Sequence, residues 1–188
     1  MDLQEAQRKL AGRVPSPSSW LLESAPRWPA GGRALDVACG RGRHALLLAA
    51  AGFEVTAVDV DAAAVADLRA QSRGVGLSLH TEVRDLEGAD TELGEAAFDL
   101  IVVFRYLHRP LFPALRNALR PGGLLVYETF TRAQAARGHP KNPAFLLDDR
   151  ELLRLVAPLE VLASEEGERE GSFVARVVAR RRRGEGRV

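Results

Sequence analysis

Asp36-Val37-Ala38-Cys39-Gly40-Arg41-Gly42 follows a short apolar run, Ala34-Leu35, and opens onto a helix-like apolar segment, Ala45 to Ala51. Beyond Gly52 a second strand-like run, Phe53 to Val58, ends in Asp59. A strand, a glycine-rich turn, a helix and a second strand ending in an acid build a nucleotide site at the carboxyl edge of a parallel sheet. Gly40 and Gly42 would let the backbone approach a ligand with no Cβ in the way. Asp59 would accept ribose hydroxyls.

The rest of the chain extends this pattern. Residues 1–14 predict a short helix, and Pro15 and Pro17 then break the chain. Ser18 or Ser19 caps a turn of helix through Leu22, and Pro26, Pro29, Gly31 and Gly32 end the N-terminal section. Strand one is expected at about 33–38, a helix at about 43–51 stopping at Gly52, and strand two at about 54–59. Asp61 is a good N-cap for a helix through about Gln71. Leu77, Leu79, Thr81 and Val83 alternate with Ser78, His80 and Glu82, the period of an edge strand with two different faces. Phe98 to Val103 is apolar apart from Asp99, as suits a central strand covered on both sides. A helix is expected from Pro110 to Leu119, ended by Arg120-Pro121-Gly122-Gly123, with strand five at about Leu124 to Glu128. The connection 131–147 is long for a compact domain and has the length of a lid. Asp148 with Glu151 reads as a capping box for a helix through Val156. Val161 to Ala163 and Phe173 to Ala179, with Glu165 to Gly171 between them, read as a terminal antiparallel hairpin.

The expected fold is therefore α/β: a Rossmann-like, doubly wound sheet of seven strands, mostly parallel, closed by the hairpin. Residues 1–32 form an N-terminal helical segment of the same domain, 33–180 the domain proper, and 181–188 a basic tail.

Composition narrows the function. A length of 188 residues favours one domain, and 46% hydrophobic residues supply an ordinary core. The net charge of +1 gives no whole-molecule attraction to nucleic acid or acidic membranes. Arg180 to Arg183 read as a solvated tail rather than an RNA contact. Cys39 is the only cysteine, so there is neither a disulfide nor a cysteine-based zinc cage. No apolar run approaches the ~20 residues that span a bilayer. A cytoplasmic protein is expected, with no metal and no membrane partner. The bias to arginine over lysine suits a GC-rich bacterial genome, such as that of a thermophile.

Two cofactors compete for the loop. A dinucleotide wants G-x-G-x-x-G, but the third position is Ala45. Asp36 would also repel a pyrophosphate, and a dinucleotide domain does not need the hairpin. All three features suit a ligand with positive sulfonium and ammonium groups. The chain resembles the class I S-adenosylmethionine-dependent methyltransferases over about Arg33 to Arg180. The matching pieces are Leu35-Asp36-Val37-Ala38-Cys39-Gly40-Arg41-Gly42, Val58-Asp59, Arg84-Asp85-Leu86, Phe98-Asp99-Leu100-Ile101-Val102-Val103 and Leu119-Arg120-Pro121-Gly122-Gly123. Ala38 departs from the glycine that many members carry. Within that superfamily the chain is similar to small bacterial tellurite-resistance-type (TehB-like) or type 11/12 methyltransferases.

The resemblance implies S-adenosyl-L-methionine as cofactor. It places Asp36 on the methionyl ammonium, directly or through water, with Ala38, Cys39, Gly40 and Gly42 as the cradle. Asp59 would take the ribose. Asp85 would take the adenine amino group, with Val60, Leu86 and Phe104 around the ring, and Arg43 would meet the methionine carboxylate. Cys39 reads as a small buried side chain rather than a nucleophile. Arg105, Tyr106 and His108, just past strand four, are the catalytic and acceptor-side candidates, with His108 as a possible general base. Tyr127 and Glu128 could face the acceptor, and Trp20 could close over the cofactor or serve as a hydrophobic staple. The expected reaction is direct methyl displacement by a small-molecule acceptor, anionic if the basic loop 131–147 contributes. Rival readings are an RNA-modifying methyltransferase, for which neither an Asn/Asp-Pro-Pro-aromatic motif nor paired cysteines is present, and a non-catalytic binding module.

Overall fold

The computed structural model describes residues 3–88 and 91–184, so residues 185–188 of the basic tail lie outside the described residues. Seven strands form one sheet: β1 (Gly32–Val37), β2 (Phe53–Asp59), β3 (His80–Val83), β4 (Phe98–Phe104), β5 (Leu119–Phe130), β6 (Glu160–Arg169) and β7 (Ser172–Arg180). Their order is β3-β2-β1-β4-β5-β7-β6. β1 to β5 pair in parallel, and β7 runs antiparallel between β5 and β6. This is the expected doubly wound sheet with its terminal hairpin. β1 and β4 lie side by side at the switch point, where the chain turns to β2 on one flank and to β5 on the other, leaving a crevice beyond their carboxyl ends.

Helices cover both faces. On one side α1 (Leu3–Leu10), α2 (Ser19–Ser24) and α3 (Arg43–Ala50) pack with α4 (Ala62–Gly74), where Ala6, Leu21, Leu46 and Leu68 share a buried cluster with Leu100 and Val102. On the other, α5 (Phe112–Ala118) and α7 (Glu151–Val156) bury Phe112, Leu115 and Leu152 against Ile101, Val103 and Leu125. α6 (Gln134–Arg137) is one short turn in the long connection. β4 feeds both clusters through alternate residues, which is why Leu100 to Phe104 is apolar throughout.

Several boundaries move. β3 begins only at His80: the Leu77 N–H bonds Ser72 O at the end of α4, so 77–79 shed helix before joining the ladder. β5 begins at Leu119, opposite Phe98, and bulges through Pro121-Gly122-Gly123 before pairing again from Leu124. Proline is tolerated there because a bulge leaves ladder positions unused. β6 and β7 pair out to Arg169 and Ser172, so the charged stretch expected between them is strand. Glu160, Glu165, Glu166 and Glu168 put charge on the edge strand β6, where charge discourages pairing with other chains.

Asp61 caps α4 with bonds to the Ala63 and Ala64 N–H groups at 2.9 and 3.1 Å, and Ser18 accepts from Trp20 N at the start of α2. The Asp148–Glu151 box forms by half. The Glu151 side chain reaches back to Asp148 N at 2.8 Å, while the Asp148 carboxylate turns away to Arg132. The long connection is tied down rather than free. Arg109 holds Glu151 at 2.7 Å and bonds the carbonyls of Ala144 and Leu146. Arg137 pairs with Glu168, and Gln134 accepts from Phe173 N. Arg181 is likewise structured. Its N–H bonds Gly123 O, and its guanidinium takes the Asn117 and Leu119 carbonyls at the end of α5. Among the described residues no helix is long and apolar enough to cross a membrane, and no three His, Cys, Asp or Glu side chains gather to hold a metal ion.

Candidate active site

The glycine loop links β1 to α3 in left-handed turns: φ is +53° at Ala38, +53° at Gly40 and +77° at Gly42. Ala38 adopts this conformation as a non-glycine, at a cost of roughly 1–2 kcal/mol. A network of backbone bonds over-determines the loop. The Cys39 N–H reaches Val58 O at 3.0 Å, and the Gly40 N–H donates to Asp59 Oδ2 at 2.7 Å. Asp59 Oδ1 accepts from Asp61 N at 2.9 Å, so one carboxylate joins the loop to the end of β2. A Cβ on Gly40 would meet nothing within 4 Å, because it points into the open crevice.

Asp36 lies beneath this loop and is 1% exposed. Its Oδ2 accepts from Ala45 N at 2.9 Å, closing the first turn of α3. Burial pushes its carboxyl up to about 7, against the opposing pull of the Ala45 bond and Arg43. The residue is thus a buried prop of the loop, and any ligand cation reaches it only through the loop or a water. Cys39 is also buried, and burial together with the Asp36 and Asp59 charges pushes its thiol up. It should therefore be inert: alkylation by iodoacetamide at pH 8 should run at least ~100-fold slower in the native protein than in urea. Comparable rates in the two states would contradict this burial.

Val60, just past Asp59, is 66% exposed, and Val83, its neighbour at the end of β3, is 52% exposed. Both valines are bare at the carboxyl edge, Val83 in register with Asp59 and Val60 next to it in the chain. Val83 had no motif to mark it in the sequence. Asp85 is exposed, with Oδ1 accepting from Glu87 N. Leu86 is 4% exposed and belongs to the core, so little of it is left to face a ring.

Arg105, Tyr106 and His108 do not converge. Arg105 has φ +58°, its N–H bonds Glu128 O, and its side chain lies over the Phe130 ring at 5.8 Å. It lines a cavity of about 280 Å³ with Ala38, Cys39, Gly40, Arg43, His44 and Phe104. His108 instead lines a separate cavity of about 610 Å³, with Leu86, Leu93 and Asn117 on its wall, and the two cavities share no residue. Tyr106 packs on the α5 side of the sheet.

The floor of the smaller cavity is polar in an unusual way. His44 stacks on Phe104 at 4.1 Å, and its Nε2 accepts from Ser18 N, so the ring is neutral. Burial holds it down to about 3. Glu128 is buried, 2.9 Å from the Arg176 guanidinium, and accepts from Ser18 Oγ. Burial raises its carboxyl despite Arg176. Trp20 is core rather than lid, bonding Val177 O at 3.3 Å under Arg176. Tyr127 is core too, stacked on Phe112. Sequence reasoning gave no sign of His44, whose signal was hidden in the apolar face of α3. Arg43, half-buried, reaches Ser16 O at 3.5 Å.

The family model described as "Methyltransferase domain" matches residues 34–123, the segment from β1 to the bulge of β5. A ubiquinone biosynthesis O-methyltransferase of Xanthomonas axonopodis pv. citri is 34% identical over 113 residues, 57% of this chain and 47% of that protein. The chain spans about half the length of the curated relatives it matches. Among solved structures, TehB from Haemophilus influenzae superposes with a TM-score of 0.75 at 19% identity, over 95% of this chain and 67% of that one. The [4+2]-cyclase SpnF superposes at 0.72 with 20% identity, over 88% and 80%. At such identities these likenesses speak to fold alone, and the cyclase illustrates why fold does not dictate the reaction.

Proposed function

We propose that this chain is a class I S-adenosylmethionine-dependent methyltransferase and that it methylates a small anionic acceptor held in the 280 Å³ cavity beside the glycine loop. The observation that carries the reading is that three arginines, Arg41, Arg43 and Arg105, line that cavity, next to a loop whose glycine edge is open, which leaves Arg105 for the acceptor when Arg43 serves the cofactor. The donor set fits S-adenosyl-L-methionine. Asp59 keeps lone pairs for ribose hydroxyls after serving Gly40 and Asp61. Val60 and Val83 offer apolar surface to a base, Asp85 an acceptor for its amino group, and Arg43 a partner for a carboxylate. When bound, the cofactor supplies an already activated sulfonium methyl.

The protein's own part is then positioning and exclusion of water. Arg105, presented by a left-handed turn that its bond to Glu128 O secures, orients the acceptor's negative group. His108, on the other cavity, is not required as a base when the acceptor arrives deprotonated. The cytoplasm is the compartment in which we expect this chemistry.

The test is calorimetry with S-adenosylmethionine and S-adenosylhomocysteine, and NAD as control, on wild type, Gly40→Ala and Asp59→Ala. Micromolar binding to the first two ligands should fall by at least ~10-fold in both variants. Gly40→Ala should lose only the roughly 1–2 kcal/mol that its φ costs. Product from carboxylate or chalcogen oxyanion acceptors, lost in Arg105→Gln, supports the acceptor class. Binding with no turnover on any acceptor would favour a binding module, and salt-sensitive RNA binding would favour the nucleic-acid reading.

A further inference from the structure

Ser18 fixes the tautomer of His44. A backbone N–H can only donate, so the 3.2 Å bond from Ser18 N makes His44 Nε2 the acceptor. The ring is neutral, held down to about 3 by burial and by the Arg43 and Arg105 charges. A neutral imidazole with a bare Nε2 carries its one proton on Nδ1. The arrangement is secured from two directions. Ser18 is itself buried, its hydroxyl accepting from Trp20 N and donating to Glu128 Oε2, both at 3.2 Å. The ring packs on Phe104 with centroids 4.1 Å apart.

The Nδ1–H donor has no partner: Nε2 takes the one hydrogen bond that His44 makes through its ring among the described residues. The side-chain atoms there that are both unbonded and shut off from solvent are Tyr106 Oη and Arg176 Nε, and Nδ1 is not one of them. His44 lines the 280 Å³ cavity together with Arg41, Arg43 and Arg105. These arginines supply charge with little direction. Arg41 is drawn to Asp67 at 3.2 Å with a side chain 73% exposed, and Arg43 reaches back to Ser16 O. A packed imidazole adds one directed N–H, and being uncharged it adds no repulsion to the cations beside it. A group that three cations attract and that offers a lone pair to a neutral donor is an oxyanion.

We propose that His44 is a binding residue of this cavity, its Nδ1–H donating to an oxyanion oxygen held among the arginines. This rests on the methyltransferase reading above, which brings two such oxyanions to the cavity, the carboxylate of the cofactor and the negative group of the acceptor. The assignment also removes His44 from general-base chemistry, because Nε2 is occupied and Nδ1 bears the proton.

Two substitutions separate the ring nitrogens. The amide of His44→Asn stands near the place of Nδ1 and can donate as it does. The amide of His44→Gln stands near the place of Nε2 and can accept from Ser18 N–H in its stead. Both lose the packing on Phe104 and should melt below wild type, so they are compared with each other. Calorimetry with S-adenosylmethionine and its decarboxylated form reads the cofactor's carboxylate. Acetate, titrated against the Gly40 amide resonance with and without S-adenosylhomocysteine, reads an acceptor's. His44→Gln should bind S-adenosylmethionine or acetate at least ~10-fold more weakly than His44→Asn, while the decarboxylated cofactor differs by less than ~2-fold between them. A loss confined to S-adenosylmethionine assigns the bond to the cofactor, and a loss confined to acetate assigns it to the acceptor. A histidine that only braced Ser18 would give the reverse order, with His44→Gln binding as well as His44→Asn or better, and that result overturns the proposal. In wild type, nitrogen NMR of the histidine rings should show His44 protonated at Nδ1 and bare at Nε2; a proton on Nε2 overturns the proposal whatever the variants do. Wild type that binds acetate but not S-adenosylmethionine sinks the cofactor reading and leaves the acetate and tautomer results to decide this one. Wild type that binds neither overturns both.

Discussion

Gly42→Ala should cost about 2–5 kcal/mol of folding free energy, far more than the same change at Gly40. Two effects add at Gly42. Its φ of +77° is a conformation that an L side chain adopts only at roughly 1–2 kcal/mol. Its Cβ would also sit 2.2 Å from Leu68 Cδ1 and 2.7 Å from Cδ2. Leu68 is fully buried between α4 and the sheet, so it cannot step aside without disturbing Leu46 and Leu100. Overpacking of this sort costs about 1–3 kcal/mol. At Gly40 the φ is similar, but the added Cβ meets open space. Urea denaturation of the two variants separates these cases. If they lose the same stability, packing of α4 against the loop is not what demands glycine at position 42. The comparison also splits the motif by purpose: Gly42 serves the protein, Gly40 the ligand.

That split was not legible in the sequence, where the two glycines look equivalent. What the sequence did carry was everything set by local periodicity and capping: the order of strands and helices, the Asp61 cap, the switch point and the Asp59 position. The features it concealed depend on contacts distant in the chain. Asp99 is one. It sits in a motif shared with the superfamily, yet its carboxylate takes Arg33 N at 2.8 Å and Arg120 at 2.9 Å, at the opposite end of the sheet from the crevice. The divergence of Arg105, Tyr106 and His108 is another. Three polar residues within four positions read as one cluster until a left-handed φ, which no residue type there foretells, sends them to different places. The extended hairpin was missed because Glu165 to Arg169 has the composition of a loop, and only pairing with β7 makes it strand. His44 and Glu128 lie in apolar surroundings that mask them. Their meaning comes from Ser18, 26 and 110 residues away, which bonds both.

Asp36→Asn should stabilise the protein at neutral pH, by up to about 4 kcal/mol, and the gain should vanish in acid. The wild-type carboxyl is held at about 7 in the fold against 3.8 for the ordinary group, mainly by burial. Between those values the folded chain keeps a proton that the unfolded chain has released. Raising the pH through this window therefore favours unfolding, at about 1.4 kcal/mol per pH unit. The stabilisation is complete below about pH 4 and is lost by about pH 7. Asparagine does not titrate, and its side-chain oxygen can still accept from Ala45 N–H, so the α3 turn stays capped. Subtracting the variant's urea-derived stability from that of wild type at each pH isolates Asp36 from every other titrating group. The difference should be near zero at pH 4, fall steadily, and flatten above pH 7. A flat difference across this range would mean that the carboxyl is ionised in the fold, with an ion or water beneath the loop offsetting its burial. The same variant bears on the cradle. If a ligand's ammonium draws on the Asp36 charge, S-adenosylmethionine affinity should fall as stability rises. A residue kept at such a cost to the free protein is then explained by what it does when the crevice is filled.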